Sequence, residues 1–144
     1  MRPGWDEYFL GIAATVATRA DCTRRQVGAV IVDQDHRIVS TGYNGAPPGR
    51  VGCLDGGCPR GKLSEAELPA YTSYDDGPGM CIALHAELNA VVWAGRAACS
   101  GATLYITDDP CEGCKKVIRA ADIARVITPM LRWQIHPRVM HEDS

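Results

Sequence analysis

The sequence predicts an α/β domain with helices packed on a mixed sheet. Three observations carry that prediction. The elements read in the order helix, hairpin, helix, strand, helix, strand, so strands alternate with helices along most of the chain. At 144 residues, with 46% hydrophobic and 22% charged residues, the chain has the length and composition of one soluble globular domain, 1–144, that buries a core without disulfide staples. No internal repeat interrupts the pattern, and no apolar run approaches the ~20 residues of a membrane-spanning helix.

Trp5, Phe9, Ile12, Val16 and Ala20 recur at helical spacing and predict a first helix from about Trp5 to Ala20 with that stripe facing the core. Val27 to Asp33 is β-branched and almost continuously apolar, Gln34-Asp35-His36 is a polar turn, and Arg37 to Tyr43 reads as a second strand, which together predict a hairpin. Between Gly42 and Met80 lie nine of the chain's 15 glycines and five of its nine prolines, the mark of a long irregular loop at about 44–80. A loop of that length in a small domain is functional or is pinned by something other than apolar packing. His85 to Ala94 is helical by composition, with Gly95 as C-terminal cap, and Thr103 to Thr107 is a strand. Asp109-Pro110-Cys111-Glu112 combines an N-cap residue, a first-position proline and a capping-box glutamate, which predicts a helix from Pro110 to about Ala121. Arg125 to Thr128 is a short strand closed by Pro129, and Leu131 to Met140 reads as a strand or as a helix interrupted by Pro137.

Two short motifs carry the chemistry: Cys81-Ile82-Ala83-Leu84-His85-Ala86-Glu87 and Pro110-Cys111-Glu112-Gly113-Cys114. One imidazole, His85, and two thiolates, Cys111 and Cys114, suit Zn²⁺, and three protein ligands leave the fourth tetrahedral position to a water molecule. On a regular helix His85 and Glu87 are about 200° apart, so they converge only off the helix N-terminus, toward which first-turn side chains tilt. Cys111 and Cys114 lie three apart in the first turn of their own helix, whose positive end favours thiolates. Glu87 is then the catalytic candidate, placed to shuttle protons from that water. The competing reading is a structural zinc closed by a fourth protein ligand, and Cys81, four residues before His85, is the residue that would close it.

Charge and cysteine usage narrow the partners. Lys plus Arg number 15 against 17 Asp plus Glu, a net charge of -2, so a polymeric nucleic acid is disfavoured while a small anionic ligand stays open. The opening Met-Arg-Pro-Gly-Trp-Asp-Glu lacks the apolar core of a signal peptide, which makes the cytoplasm the expected location. Seven cysteines are an odd number and point to metal binding more than to disulfides.

The pairing of His-x-Glu with Pro-Cys-x-x-Cys is the signature of zinc nucleobase deaminases. With Arg24-Arg25-Gln26-Val27-Gly28-Ala29-Val30-Ile31-Val32 and Gly42-Tyr43-Asn44-Gly45-Ala46-Pro47-Pro48-Gly49, the chain resembles the deoxycytidylate (dCMP) deaminase family of the cytidine deaminase superfamily over about Trp5 to Thr128. The resemblance implies a three-layer α/β/α sandwich around a five-stranded mixed sheet. It implies hydrolysis of dCMP to dUMP with ammonia release by a zinc-activated hydroxide, without an organic cofactor. His85, Cys111 and Cys114 would hold zinc, Glu87 would be the general acid/base, and Asn44 and Ala86 would contact substrate. It further implies a homo-oligomer, hexamer or dimer, and control by dCTP and dTTP through the glycine-rich element. Asn44-Gly45 also reads as ordinary turn chemistry.

Phosphate recognition needs cations, and Arg24 and Arg25 are the candidates because guanidinium forks match phosphate oxygens; a solvated surface pair is the alternative. Asp108 and Asp109 depart from the family pattern, in which uncharged or singly charged residues more often precede the Pro-Cys pair, and two carboxylates would repel a phosphate if they face the pocket. Asp109 is explained as a helix cap and Asp108 is not. Cys22, Cys53, Cys58 and Cys81 are candidates for a second, structural zinc, with free buried thiols as the competing reading. His36, His136 and His141 have no evident partner, and Cys99 reads as a small core or surface residue. Competing functions are deamination of other nucleosides, nucleotides or free bases, purines included; deamination of transfer-RNA adenosine; and a silent nucleotide-binding regulatory protein.

Overall fold

The computed structural model describes residues 1–72 and 77–135. Its frame is a five-stranded mixed sheet in the order β2-β1-β3-β4-β5, formed by β1 (Gly28–Val32), β2 (Ile38–Tyr43), β3 (Thr103–Ile106), β4 (Arg125–Ile127) and β5 (Arg132–Gln134). β1 pairs antiparallel with both β2 and β3, β3 and β4 are parallel, and β5 returns antiparallel. Every residue of β1 is buried, because the strand lies inside the sheet with helices on both faces.

The alternation along β1 defines the layers. Val30 and Val32 point to α1 (Trp5–Ala17) and share a cluster with Phe9, Ala13, Tyr105 and Ile127. Ala29 and Ile31 point the other way, into a core with Ala90 from α2 (Ala86–Ala94) and Ile118 from α4 (Glu112–Ala120). The result is the expected three-layer α/β/α sandwich, with a short α3 (Arg96–Cys99) that periodicity did not reveal because it is a single turn. Cys99 lies in the core with no exposed surface.

Two glycines set how closely the helices approach. A Cβ on Gly28 would lie 2.5 Å from the Ala17 nitrogen in α1, and one on Gly42 would lie 2.6 Å from the Ala90 nitrogen in α2, too close for any side chain. Gly42 therefore seats the helix that follows His85.

Three predicted elements are corrected. The first helix stops at Ala17 rather than near Ala20, and its buried line is Phe9, Ala13 and Ala17, while Trp5 stays exposed and stacks on His36 at 4.2 Å. Aromatic stacking there satisfies Trp5 without burial. The helix after Pro110 begins at Glu112 with Cys111 as its N-cap, in extended backbone, so Asp109 caps nothing and its N–H bonds to Asp108 Oδ1 at 3.0 Å. In the C-terminal segment a strand at Arg132–Gln134 replaces the helix alternative; His136, Pro137, Met140 and His141 lie outside the described residues. Among the described residues no helix is long and apolar enough to cross a membrane.

The long loop is irregular, as its composition predicts. Among its described residues it contains one 3-10 turn, at Cys53–Asp55, and a backbone bridge between Gly45 and Leu84 ties its ends. Arg24 holds its middle by donating to the carbonyl oxygens of Leu63, at 3.1 Å, Leu68 and Pro69.

Candidate active site

Two helix N-termini meet beside the sheet. His85 is the N-cap of α2 and Cys111 the N-cap of α4, both with extended backbone, so each side chain leaves the end of its helix and not its flank. Cys114, in the first turn of α4, is buried beneath them. His85 Nδ1 lies 3.1 Å from Cys114 Sγ and 3.5 Å from Cys111 Sγ, and the three ligand atoms fall within 4.8 Å of one another. A tetrahedral ion with the usual Zn–S and Zn–N bond lengths requires N···S separations of about 3.6 Å, so the donor set and its spacing fit zinc. Burial, and then the charge of Glu87, push the Cys114 thiol well above its ordinary value. A divalent cation at this point reverses that preference and holds the thiolates.

Glu87, in the first turn of α2, is 4% exposed. Burial raises its carboxyl, the hydrogen bonds from its own backbone and from Cys114 oppose the rise, and the nearby Asp108 charge adds to it. A carboxyl raised by burial and set beside the ligand group is placed to accept and return a proton. His85, Ala86, Glu87, Cys111 and Asn44 line a cavity of about 30 Å³ together with Arg25, Val27, Asp108 and Asp109.

The remaining predicted residues are distributed as follows. Asn44 is buried; its Oδ1 accepts the Val27 N–H at 2.9 Å and its Nδ2 donates to the Arg25 carbonyl at 2.8 Å, so it ties the end of β2 to the approach to β1. Arg24 braces the loop, as above, whereas Arg25 reaches the cavity mouth and pairs with Asp108 at 3.4 Å. Cys81 stands with Cys22, Cys53 and Cys58, away from the His85 group, and so does not close the first site.

That second cluster differs in kind. Cys22, Cys53 and Cys58 are buried and Cys81 packs against them. Backbone N–H groups point at the sulfurs: Arg24 and Arg25 at Cys22 Sγ, each at 3.4 Å, Thr23 at Cys53 Sγ at 3.3 Å, and Gly61 at Cys58 Sγ at 3.4 Å. Burial alone would raise the Cys58 thiol, yet N–H donors from Ile82, Gly61 and Arg60 bring it below its ordinary value, while burial keeps Cys53 and Cys81 above theirs. The cluster forms one wall of a second cavity of about 670 Å³ that Arg24, Arg25 and Arg60 also line. Sequence reasoning missed Arg60, 5% exposed despite its charge, because nothing in Cys58-Pro59-Arg60-Gly61 marks an arginine for burial.

Comparison with known proteins agrees with this geometry. Residues 3–130 match the model of the cytidine and deoxycytidylate deaminase zinc-binding region. The deoxycytidylate deaminase of Mycobacterium phage D29 is 51% identical over 128 residues, covering 89% of this chain and 96% of the phage protein. That of Saccharomyces cerevisiae is 40% identical over 128 residues, 88% of this chain; there the chain spans only 38% of the relative. The crystal structure of dCMP deaminase from the cyanophage S-TIM5, in complex with dCMP and dUMP, superposes with a TM-score of 0.64 at 27% identity, over 89% of this chain and 82% of that one. On these grounds the chain belongs to the cytidine and deoxycytidylate deaminase family and is a zinc-dependent enzyme of that family.

Proposed function

We propose that the protein converts dCMP to dUMP with release of ammonia. The observation that carries this reading is the meeting of His85, Cys111 and Cys114 beside the buried Glu87, in a chain half identical to a phage deoxycytidylate deaminase. His85, Cys111 and Cys114 would hold zinc, which would supply an activated water as nucleophile. Glu87, beside them, would take a proton from the nucleophile and hand it to the ring nitrogen adjacent to the amine-bearing carbon. It would then carry a second proton to the exocyclic amine, which would leave as ammonia with a carbonyl in its place. Asn44 and Ala86, which line the cavity with Glu87, would contact the base, and Arg25, the cation that lines the same cavity, would meet the phosphate.

The reading extends to a structural zinc on Cys22, Cys53, Cys58 and Cys81, supported by the N–H donors directed at three of the sulfurs, which favour thiolates. It also includes a homo-oligomer, hexamer or dimer, consistent with the exposed Val92 and Trp93 on α2, and regulation by dCTP or dTTP.

The test is ammonia release from dCMP, CMP, deoxycytidine, cytosine, adenosine and guanine under one set of conditions. dCMP is expected to have the highest kcat/KM. A free base or a purine nucleoside in first place would overturn the substrate assignment while leaving the zinc chemistry intact.

A further inference from the structure

Arg25 and Asp108 are the two residues that line both the small cavity at Glu87 and the large cavity beside it, and they are joined across the boundary by an ion pair of 3.4 Å. The cavity at Glu87 measures about 30 Å³, and the pair borders both it and the larger one. The pair can separate, since the Arg25 and Asp108 side chains are 30% and 47% exposed, and exposed pairs are weak. Asp108 is also held in place as an acceptor: Oδ2 faces Arg25 and Oδ1 accepts the Asp109 N–H. A carboxylate and a phosphate both offer a guanidinium paired anionic oxygens, so one can replace the other.

We propose that Asp108 is a specificity-determining residue that occupies Arg25 in the substrate-free protein and is exchanged for the substrate's 5′-phosphate on binding. This inference rests on the nucleotide deaminase reading above. Its consequence falls on the phosphate alone. A monophosphate takes Arg25 against the competition and repulsion of the Asp108 charge, whereas a nucleoside leaves the Arg25–Asp108 pair as it is.

The experiment measures kcat/KM for a monophosphate and for its nucleoside, dCMP and deoxycytidine in the first instance, in the wild type, Asp108→Asn and Arg25→Gln. Both substrates react at the same Glu87, so any effect of the Asp108 charge on that carboxyl cancels in the ratio of the two constants. A merely structural role for Asp108 would also move both substrates together. The monophosphate-to-nucleoside ratio is expected to rise about three- to tenfold in Asp108→Asn, mainly through KM, and to fall about tenfold or more in Arg25→Gln. A ratio unchanged or lowered in Asp108→Asn, or unchanged in Arg25→Gln, would overturn the exchange. If the wild type proves to prefer another base, the deaminase assignment to dCMP fails, and the same ratio is then taken on the monophosphate and nucleoside of that base. Inorganic phosphate gives an independent readout: as an inhibitor of deoxycytidine turnover it is expected to bind several-fold more tightly to Asp108→Asn, and equal inhibition of the two proteins would count against the exchange.

Discussion

The molecule has two cysteine-rich centres built on opposite plans. At His85, Cys111 and Cys114 the ligands stand at the ends of two helices seated on the sheet, and three atoms converge within 4.8 Å. At Cys22, Cys53, Cys58 and Cys81 the sulfurs come from the segment after α1, from two points in the long loop, and from the approach to α2, and are gathered by backbone N–H donors. The first centre inherits its geometry from regular elements and has three ligands, a number that leaves room for chemistry. The second lies in a stretch with little regular structure; among the described residues its sulfurs do not form a group as tight as the first, and four is the ligand number that a closed site uses.

The largest difference between the centres is expected from removing one ligand at each. Cys114→Ser should lose about one zinc per chain and about 10³-fold or more in ammonia release while the fold survives, as read by metal analysis and circular dichroism. Cys58→Ser should also lose about one zinc, yet keep kcat within about twofold and lower Tm by roughly 5–10 °C. If wild-type protein carries about one zinc per chain in place of two, the loop centre is a cluster of free thiols and the contrast reduces to packing.

A smaller effect should come from the seat of α2. Gly42→Ala forces a methyl group against the Ala90 nitrogen and is expected to cost about 2–3 kcal/mol in denaturant unfolding, with a drop in kcat because His85 and Glu87 move with the helix. The smallest belongs to the α1 side of the central strand β3, where Tyr105 donates to Asp6 at 2.7 Å and Asp6 also meets Arg125 and Arg132. Tyr105→Phe is expected to lower stability by about 1.5 kcal/mol and leave turnover unchanged.

The catalytic centre was legible in the sequence because helix ends place ligands at fixed offsets, and the spacings His-x-Glu and Cys-x-x-Cys record that geometry. The sheet was legible from composition: β1 is a buried apolar run whose last three residues, Val30, Ile31 and Val32, are β-branched. What was hidden depended on contacts distant in sequence. Arg24 reads as a phosphate ligand from its neighbours, but its guanidinium is bound to carbonyls some forty residues away, in the loop. Asp109 reads as a cap, but α4 begins two residues later than a first-position proline suggests, leaving Cys111 extended at the helix end with its sulfur beside His85. Asp108 stood out as unexplained in the sequence, and its partner Arg25 became visible only once β1 and β3 were paired, which brings residue 107 against Gly28 and so residue 108 near 25.

The central claim is that Glu87 moves the protons of a hydrolysis carried out at a zinc held by His85, Cys111 and Cys114. It is tested most directly by Glu87→Gln, assayed for ammonia release from dCMP and for zinc content in the same preparation. Ammonia release lower by about 10²- to 10⁴-fold with zinc retained at the wild-type level is the expected result. Undiminished release from the zinc-loaded variant would contradict the account.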